Sequence, residues 1–231
     1  MKVLILAGGF GTRLSEYTDS IPKPMIPIGN KPIIEHIISI YSKYGFNEFI
    51  IALGYKGDVI KNHFNNFKSK LKIELIDTGS ETLTGGRIKR LKDHFKEPFF
   101  LTYGDGVSDI DIGKLLKFHK SHKKTLTVTA VRPPARFGYL SLEHDTVTKF
   151  SEKVDRGENW INGGFFVAES KIFDFIDGDN TIFEKEPLEK LASMGELKAF
   201  KHEGFWQCMD HKIDKIKLDE LCLKNKAPWL K

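Results

Sequence analysis

The chain has 231 residues, of which 40% are hydrophobic and 29% are charged, and its formal net charge is +5. This composition is typical of one large globular domain and excludes disordered and collagen-like proteins. The small positive excess favours anionic ligands. The basic residues are spread along the whole chain, so the sequence predicts no nucleic-acid partner.

The cysteines and the apolar segments exclude secreted disulfide-rich proteins and membrane proteins. Two cysteines, Cys208 and Cys222, are too few for a disulfide framework or a cysteine-based zinc site. The first apolar segment, Val3–Ala7, is too short for a signal peptide, and no later segment is long enough to cross a bilayer. We therefore expect a cytoplasmic protein with no membrane partner.

Short apolar runs alternate with helical patterns through residues 1–131. Val3–Ala7 is rich in β-branched residues and is followed by glycine, which predicts a buried parallel strand. A helix is predicted after Lys31-Pro32, with its end at Gly45. The other strands predicted here are Phe49–Leu53, Leu71–Ile76, Phe99–Tyr103 and Leu126–Val131, and the other helices are Asp58–Phe67 and Asp111–His122. This order predicts a mainly parallel sheet with right-handed crossovers.

The pattern changes after residue 131, where three short strands are predicted with no full helix between them. These strands are Tyr139–Leu142, Val147–Phe150 and Trp160–Ala168. They predict an antiparallel or mixed extension of the sheet. The last predicted elements are the helix Pro187–Met194, the strand Leu197–Phe200 and the closing helix Lys212–Asn225.

A glycine-rich segment, Leu6–Leu14, follows the first predicted strand. Its three glycines allow the backbone to approach an anion closely, and Arg13 adds a forked cation suited to phosphate. Lys23 lies between two prolines in a stiff stretch. The glycine spacing is neither the dinucleotide fingerprint nor a P-loop. The segment nevertheless predicts a phosphate-binding loop.

Asp105 directly follows the predicted strand Phe99–Tyr103, where α/β sheets place functional residues. Taken alone, this position is equally typical of a turn or a helix cap. Asp109 and Asp111 are predicted to cap the following helix.

The glycine segment and Pro22-Lys23-Pro24-Met25 together resemble the motif of the sugar-1-phosphate nucleotidylyltransferases. Later segments narrow the resemblance to the glucose-1-phosphate cytidylyltransferases. These segments are Gly54-Tyr55-Lys56-Gly57, Asp77-Thr78-Gly79, Thr84-Gly85-Gly86-Arg87, Tyr103-Gly104-Asp105-Gly106-Val107, Asn162-Gly163-Gly164-Phe165-Phe166, Gly204-Phe205-Trp206-Gln207 and Ala227-Pro228-Trp229. The resemblance implies a three-layer, Rossmann-like α/β fold in a single domain, with a nucleotide-binding core at 1–131 and an acceptor-binding part at 132–231.

The implied reaction is attack by a phosphate oxygen of the acceptor on the α-phosphorus of CTP, with release of pyrophosphate. A phosphate monoester is already ionised near neutral pH, so the reaction needs no protein nucleophile or general base. It needs positioning and charge neutralisation. The resemblance implies CTP and a phosphorylated small molecule as partners, Mg²⁺ as cofactor, and a place in nucleotide-sugar synthesis for a capsule or lipopolysaccharide.

The resemblance also assigns residues to roles. Arg13 would neutralise the leaving pyrophosphate, Lys23 would contact the α-phosphate, and Asp105 and Asp210 would hold Mg²⁺. The implied nucleotide-binding residues are Leu6, Ala7, Gly8, Gly9, Gly11, Thr12, Arg13, Lys23, Asp77, Thr84, Gly85, Gly86, Tyr103 and Gly104. The implied acceptor-binding residues are Glu152, Lys153, Asn162 and Gly163.

Three departures from the family pattern leave the acceptor open. Val154 follows Lys153 where proline is usual, His211 follows Asp210 where threonine is frequent, and the stretch between Phe67 and Asp77 is short. Glucose 1-phosphate is the default acceptor. The alternative acceptors are a heptose or other sugar phosphate and the phosphoglutamine of capsular phosphoramidate synthesis. Another nucleotide (UTP, GTP or dTTP) is an alternative to CTP. A binding module without turnover is the alternative to an enzyme. Whether the chain forms a homo-oligomer also stays open.

Overall fold

The computed structural model describes residues 1–67, 69–133, 138–152 and 159–231. The strands are β1 (Val3–Leu6), β2 (Pro27–Ile28), β3 (Lys31–Pro32), β4 (Glu48–Leu53), β5 (Lys72–Asp77), β6 (Phe99–Tyr103), β7 (Gly106–Ser108), β8 (Leu126–Val131), β9 (Tyr139–Glu143), β10 (Thr146–Ser151), β11 (Ile161–Ala168), β12 (Leu197–His202) and β13 (Trp206–Cys208). The α-helices are α1 (Ser15–Thr18), α2 (Ile33–Ser42), α3 (Gly57–Asn65), α4 (Thr84–Arg90), α5 (Ile112–His122), α6 (Glu186–Ser193) and α7 (Lys212–Leu223). Short 3-10 helices lie at Thr12–Leu14, Lys23–Met25, Lys92–His94, Ser170–Phe175 and Pro228–Leu230.

A central seven-stranded sheet has the order β12-β8-β11-β6-β1-β4-β5. β1 pairs in parallel with β4 and β6, and β11 runs antiparallel to both of its neighbours. β12 is parallel to β8, and β9 and β10 form a separate antiparallel hairpin. The predicted mainly parallel sheet with a small antiparallel extension is therefore confirmed.

The alternation of side chains along β1 shows how the layers form. Val3 and Ile5 are fully buried in a cluster with α2, α3, α5 and α7, whereas Leu4 and Leu6 pack on the other side with α4 and α6. Successive strand residues point to opposite faces, so a buried parallel strand must be apolar throughout. The predicted three-layer arrangement is confirmed.

Most predicted elements are present, with ends that differ by one or two residues. α4 was not predicted as a helix, because Gly85 and Gly86 disfavour helix formation. Asp111 is the predicted cap of α5, and its Oδ1 accepts from Lys114 N at 2.8 Å. The prediction for Asp109 is wrong, since its carboxylate instead lies 2.9 Å from His202 Nε2.

The C-terminal segment docks onto α2 through a buried tryptophan. Trp229 Nε1 donates to His36 Nδ1 at 3.1 Å, so Nδ1 carries no proton. His36 Nε2 then donates to Ile28 O at 3.0 Å. This pairing requires neutral imidazole, and burial lowers the pKa of His36 despite the backbone hydrogen bond.

The docking of Trp229 makes stability depend on pH. The pKa of His36 is lower in the folded state than in the unfolded chain. The contribution of neutral His36 to folding stability is therefore complete above the ordinary histidine pKa of about 6.5 and is lost as the pH falls below that value. His36→Gln keeps one acceptor and one donor but cannot titrate. We expect the thermal midpoint of the wild type to fall more than that of the variant between about pH 7.5 and about pH 5.5. Equal falls in the two proteins would show that His36 is not the titrating group.

Candidate active site

A cavity of about 590 Å³ opens at the carboxyl ends of β1 and β6, a volume in the range of small-molecule sites. Most of the predicted site residues line it. They are Leu6, Ala7, Gly8, Gly9, Gly11, Thr12, Arg13, Lys23, Thr84, Tyr103, Gly104, Asp105, Asn162, Gly163 and Asp210. The cavity therefore brings together segments from the whole length of the chain.

The glycine loop has a fixed backbone orientation. Gly8 O accepts hydrogen bonds from Tyr55 N at 3.1 Å and from Arg87 Nη2 at 2.8 Å. The carbonyl and the next N–H point in opposite directions across a trans peptide, so the Gly9 N–H points away from Arg87. Gly11 has a φ of +66°, and a Cβ there would lie 2.9 Å from Thr18 Cγ2. The positive φ and this close contact explain the glycine at position 11.

Arg87 lines the cavity, and the sequence assigns it no role of its own. Its guanidinium is buried and donates to Leu53 O at 2.9 Å, Thr78 Oγ1 at 2.8 Å and Gly79 O at 2.6 Å, besides Gly8 O. Burial lowers its pKa from the ordinary value. One planar donor group thus ties the glycine loop to the ends of β4 and β5. Only the tertiary structure shows which carbonyls it meets.

Four charged side chains form one cluster at the mouth of the cavity. Lys23 Nζ lies 2.7 Å from Asp105 Oδ2 and 2.8 Å from Asp210 Oδ1. Arg13 Nη1 lies 2.8 Å from Asp210 Oδ2, on the exposed side of the cluster. Burial alone would lower the pKa of Lys23, but the charges and hydrogen bonds of both aspartates outweigh it and raise that pKa. Lys23 therefore stays protonated, which suits it to contact phosphate.

The same cluster fits a divalent cation. Burial would raise the pKa of Asp210, but Lys23 and Arg13 outweigh it and hold that pKa below its ordinary value. Both aspartates place an oxygen within hydrogen-bonding reach of one ammonium group, so a positive charge is already stabilised between them. Among the described residues, no group of three or more His, Cys, Asp or Glu could hold a metal by itself. A hard cation here would need further oxygens from phosphate and water, which is how Mg²⁺ is usually bound beside nucleotides.

The loop that carries Asp210 is held by a buried carboxylate that the sequence analysis did not identify. Asp214 Oδ2 accepts from Asp210 N at 3.1 Å and from His211 N at 2.8 Å, and its Oδ1 accepts from Gln207 Nε2 at 3.1 Å. Met209 N also donates to Asp105 O at 2.8 Å. Asp214 lies three positions after the N-cap residue His211 and accepts from its backbone N–H, as the acidic partner of a capping box does, but His-x-x-Asp is not the usual Ser/Thr-x-x-Glu/Gln sequence of that motif.

Some predicted site residues lie outside the cavity wall of the described structure. Asp77 is exposed and its Oδ1 accepts from Gly79 N at 2.8 Å, and Glu152 is exposed on the hairpin side. Gly85 and Gly86 are packing positions, since Cβ atoms there would lie 2.7 Å from Thr181 O and 2.5 Å from Asp179 Cα. Lys153 falls outside the described residues.

Aromatic residues near the site lie either in the core or on the cavity wall. Phe165 and Phe166 are fully buried in the two clusters. Trp206 instead lines the cavity, where its Nε1 donates to Gly163 O at 2.7 Å. Phe205 stacks on Trp229 with ring centroids 5.3 Å apart.

Comparison with known proteins gives a consistent result. A family model described as nucleotidyl transferase matches residues 2–208. A glucose-1-phosphate cytidylyltransferase of Salmonella typhi is 47% identical over an alignment of 253 positions, which covers 99% of this chain and 98% of that protein. Mannose-1-phosphate guanylyltransferase 1 of Arabidopsis thaliana is 35% identical over 98% of this chain and 67% of its own length. The crystal structure of HddC from Yersinia pseudotuberculosis, also solved with GMP-PN, superposes with a TM-score of 0.76 at 29% identity, covering 95% of this chain and 98% of that one.

None of the described helices is long and apolar enough to cross a membrane. The family match covers most of the chain, and the Salmonella typhi relative aligns over almost all of it. The glycine loop, the Lys23 cluster and these matches lead to the same conclusion. The chain belongs to the nucleotidyl transferase family.

Proposed function

We propose that this protein is a cytidylyltransferase that joins CTP and glucose 1-phosphate to form CDP-glucose and pyrophosphate. The observation that carries the proposal is the cluster of Lys23, Asp105 and Asp210 at the mouth of a nucleotide-sized cavity beside the glycine loop. The choice of CTP and glucose 1-phosphate is supported by relatives named glucose-1-phosphate cytidylyltransferase, which are 47% identical over nearly the full chain. We propose a cytoplasmic location, which is consistent with a soluble enzyme family.

The chain's own groups account for the reaction without a nucleophilic side chain. The backbone N–H groups of the glycine loop bind the triphosphate, and Arg13, whose side chain is 64% exposed, faces the leaving pyrophosphate. Lys23 stays protonated and stabilises the charge that builds on the α-phosphate. The acceptor phosphate attacks in line as the dianion, so no side chain has to remove a proton.

Nucleotidyltransferases of this family generally use a divalent metal. Asp105 and Asp210 would hold it, and we propose Mg²⁺ because carboxylate and phosphate oxygens are the ligands it prefers. When bound, the ion neutralises phosphate charge and orients the leaving group.

A guanylyltransferase is the second candidate, since guanylyltransferases are among the relatives and HddC was solved with GMP-PN. Pyrophosphate release from CTP, UTP, GTP, ATP and dTTP, each with a panel of phosphorylated sugars and phosphoglutamine, separates the possibilities. We expect turnover with CTP and glucose 1-phosphate. Turnover with CTP and another acceptor only would contradict the glucose assignment, and turnover with GTP only would favour the second candidate. No release from any nucleotide would contradict transfer altogether.

The role of Asp105 predicts the effect of an isosteric change. Asp105→Asn keeps the size of the side chain but removes the negative charge, so we expect kcat to fall by at least about a hundredfold. Asp109→Asn is the matched control, because Asp109 pairs with His202 away from the cavity wall. Full activity of the Asp105 variant in the pyrophosphate-release assay would remove this residue from the mechanism.

The contacts of Asp214 predict that its loss will change how activity depends on the concentration of Mg²⁺. Asp214→Ala removes both carboxylate oxygens, so the backbone N–H groups of Asp210 and His211 lose the side chain that accepts from them. We expect the concentration of Mg²⁺ that gives half-maximal activity to rise by about tenfold or more, as for other residues that orient metal ligands. Asp111→Ala removes a helix cap elsewhere and should lower thermal stability without this effect. The same Mg²⁺ dependence in both variants would show that Asp214 acts on stability alone.

A further inference from the structure

A chain of hydrogen bonds runs along the wall of the cavity from α4 to β11, and its central group is the half-buried carboxylate of Glu184. Thr84 Oγ1 donates to Glu184 Oε2 at 2.6 Å, and Tyr103 Oη donates to Glu184 Oε1 at 2.5 Å. Thr84 and Tyr103 both line the cavity. Glu184 lies just before α6, in a segment that the sequence analysis left without a role.

The carboxylate of Glu184 determines the direction in which both hydroxyl groups donate their hydrogen bonds. An ionised carboxylate only accepts hydrogen bonds, so the protons of Thr84 and Tyr103 both point toward Glu184. The Thr84 oxygen accepts in turn from Phe183 N at 2.9 Å. The Tyr103 oxygen is left as an acceptor, and Asn162 Nδ2 lies 3.4 Å from it. Burial, followed by the charge of Glu184, raises the pKa of Tyr103 well above its ordinary value, so the phenol stays protonated.

The same chain orients the amide of Asn162. Gly164 N donates to Asn162 Oδ1 at 2.8 Å, so the oxygen faces the backbone and the NH₂ group faces Tyr103. The ring of Tyr103 also packs closely on Gly164, where a Cβ atom would lie 2.6 Å from Tyr103 Cδ2. The bond from Asn162 to Tyr103 is long, so its N–H groups are available to a ligand. The cavity therefore presents amide donors at this point, which suits the phosphate or hydroxyl oxygens of an acceptor.

We propose that Glu184 is a positioning residue for the acceptor, acting through Tyr103 on Asn162. This inference rests on the proposed function, because it assumes that the acceptor occupies the β11 side of the cavity. Two short bonds to one ionised group hold Tyr103 more firmly than neutral bonds would. Loss of the carboxylate should free the phenol and remove its contact with the Asn162 amide, which would leave that side chain held by the bond from Gly164 N.

The test is Glu184→Gln, in which the amide NH₂ cannot accept a hydrogen bond and one hydroxyl must turn its proton around. We expect the KM for the acceptor to rise about tenfold, equivalent to one hydrogen bond, while kcat and the KM for the nucleotide change by less than about threefold. Glu186→Gln is the matched control, since Glu186 is an exposed carboxylate two residues further along. It should leave all three parameters unchanged.

A double-mutant cycle tests the route of the effect. Tyr103→Phe removes the phenol oxygen, so Glu184→Gln should add little to the acceptor KM in that background. Additive effects would contradict action through Tyr103. A fall in apparent kcat in proportion to the lost folded protein, with both KM values unchanged, would show that Glu184 has only a structural role.

A measurement without turnover separates this inference from the proposed function. In thermal-shift titrations without metal, we expect glucose 1-phosphate to stabilise the wild type at an about tenfold lower concentration than Glu184→Gln, and CTP to stabilise both proteins at the same concentration. The same dependence on glucose 1-phosphate in the two proteins would overturn the positioning role of Glu184. A tenfold difference in a protein that releases no pyrophosphate would support this role and contradict the proposed function instead.

Discussion

The position of the Lys23 ammonium between Asp105 and Asp210 is the constraint on which the rest of the cleft depends. These aspartates are 82 and 187 residues away from Lys23 in the sequence, so the contact needs the complete sheet to bring the segments together. Two carboxylates at this separation would repel each other without a cation between them. The side chain of Lys23 is only 11% exposed, and a buried charge of this kind is tolerated because it is fully paired.

The backbone around this cluster is held by groups that do not touch the charges themselves. Arg87 and Tyr55 hold the carbonyl of Gly8, which directs the following N–H away from Arg87. Asp214 holds the N–H groups of Asp210 and His211, which fixes the loop opposite. Both arrangements use buried donors and acceptors that are satisfied in the folded chain. The cleft is therefore organised before a ligand arrives, as electrostatic catalysis requires.

The chemistry of the proposed reaction explains why such a cleft needs no catalytic triad. A phosphate dianion is already a nucleophile, so the protein has to supply charge, alignment and a dry surface. The hydroxyls of Thr84 and Tyr103 both donate their protons to Glu184, which fixes the direction of their dipoles. Two cavity-lining residues from different parts of the chain thus share one acidic partner.

The sequence by itself determined the fold class and the chemical type of the site. A buried parallel strand must be apolar along its whole length, and a phosphate loop must contain glycine, so β1 and the loop after it can be read from local pattern. The helix α4 could not be read in this way, because Gly85 and Gly86 oppose local helix propensity and are tolerated only where they pack against Thr181 and Asp179. The roles of Arg87, Asp214 and Glu184 were likewise decided by the tertiary structure alone. A hydrogen bond depends on distance and direction in space, and no local pattern shows which distant carbonyl, amide or hydroxyl a side chain will meet.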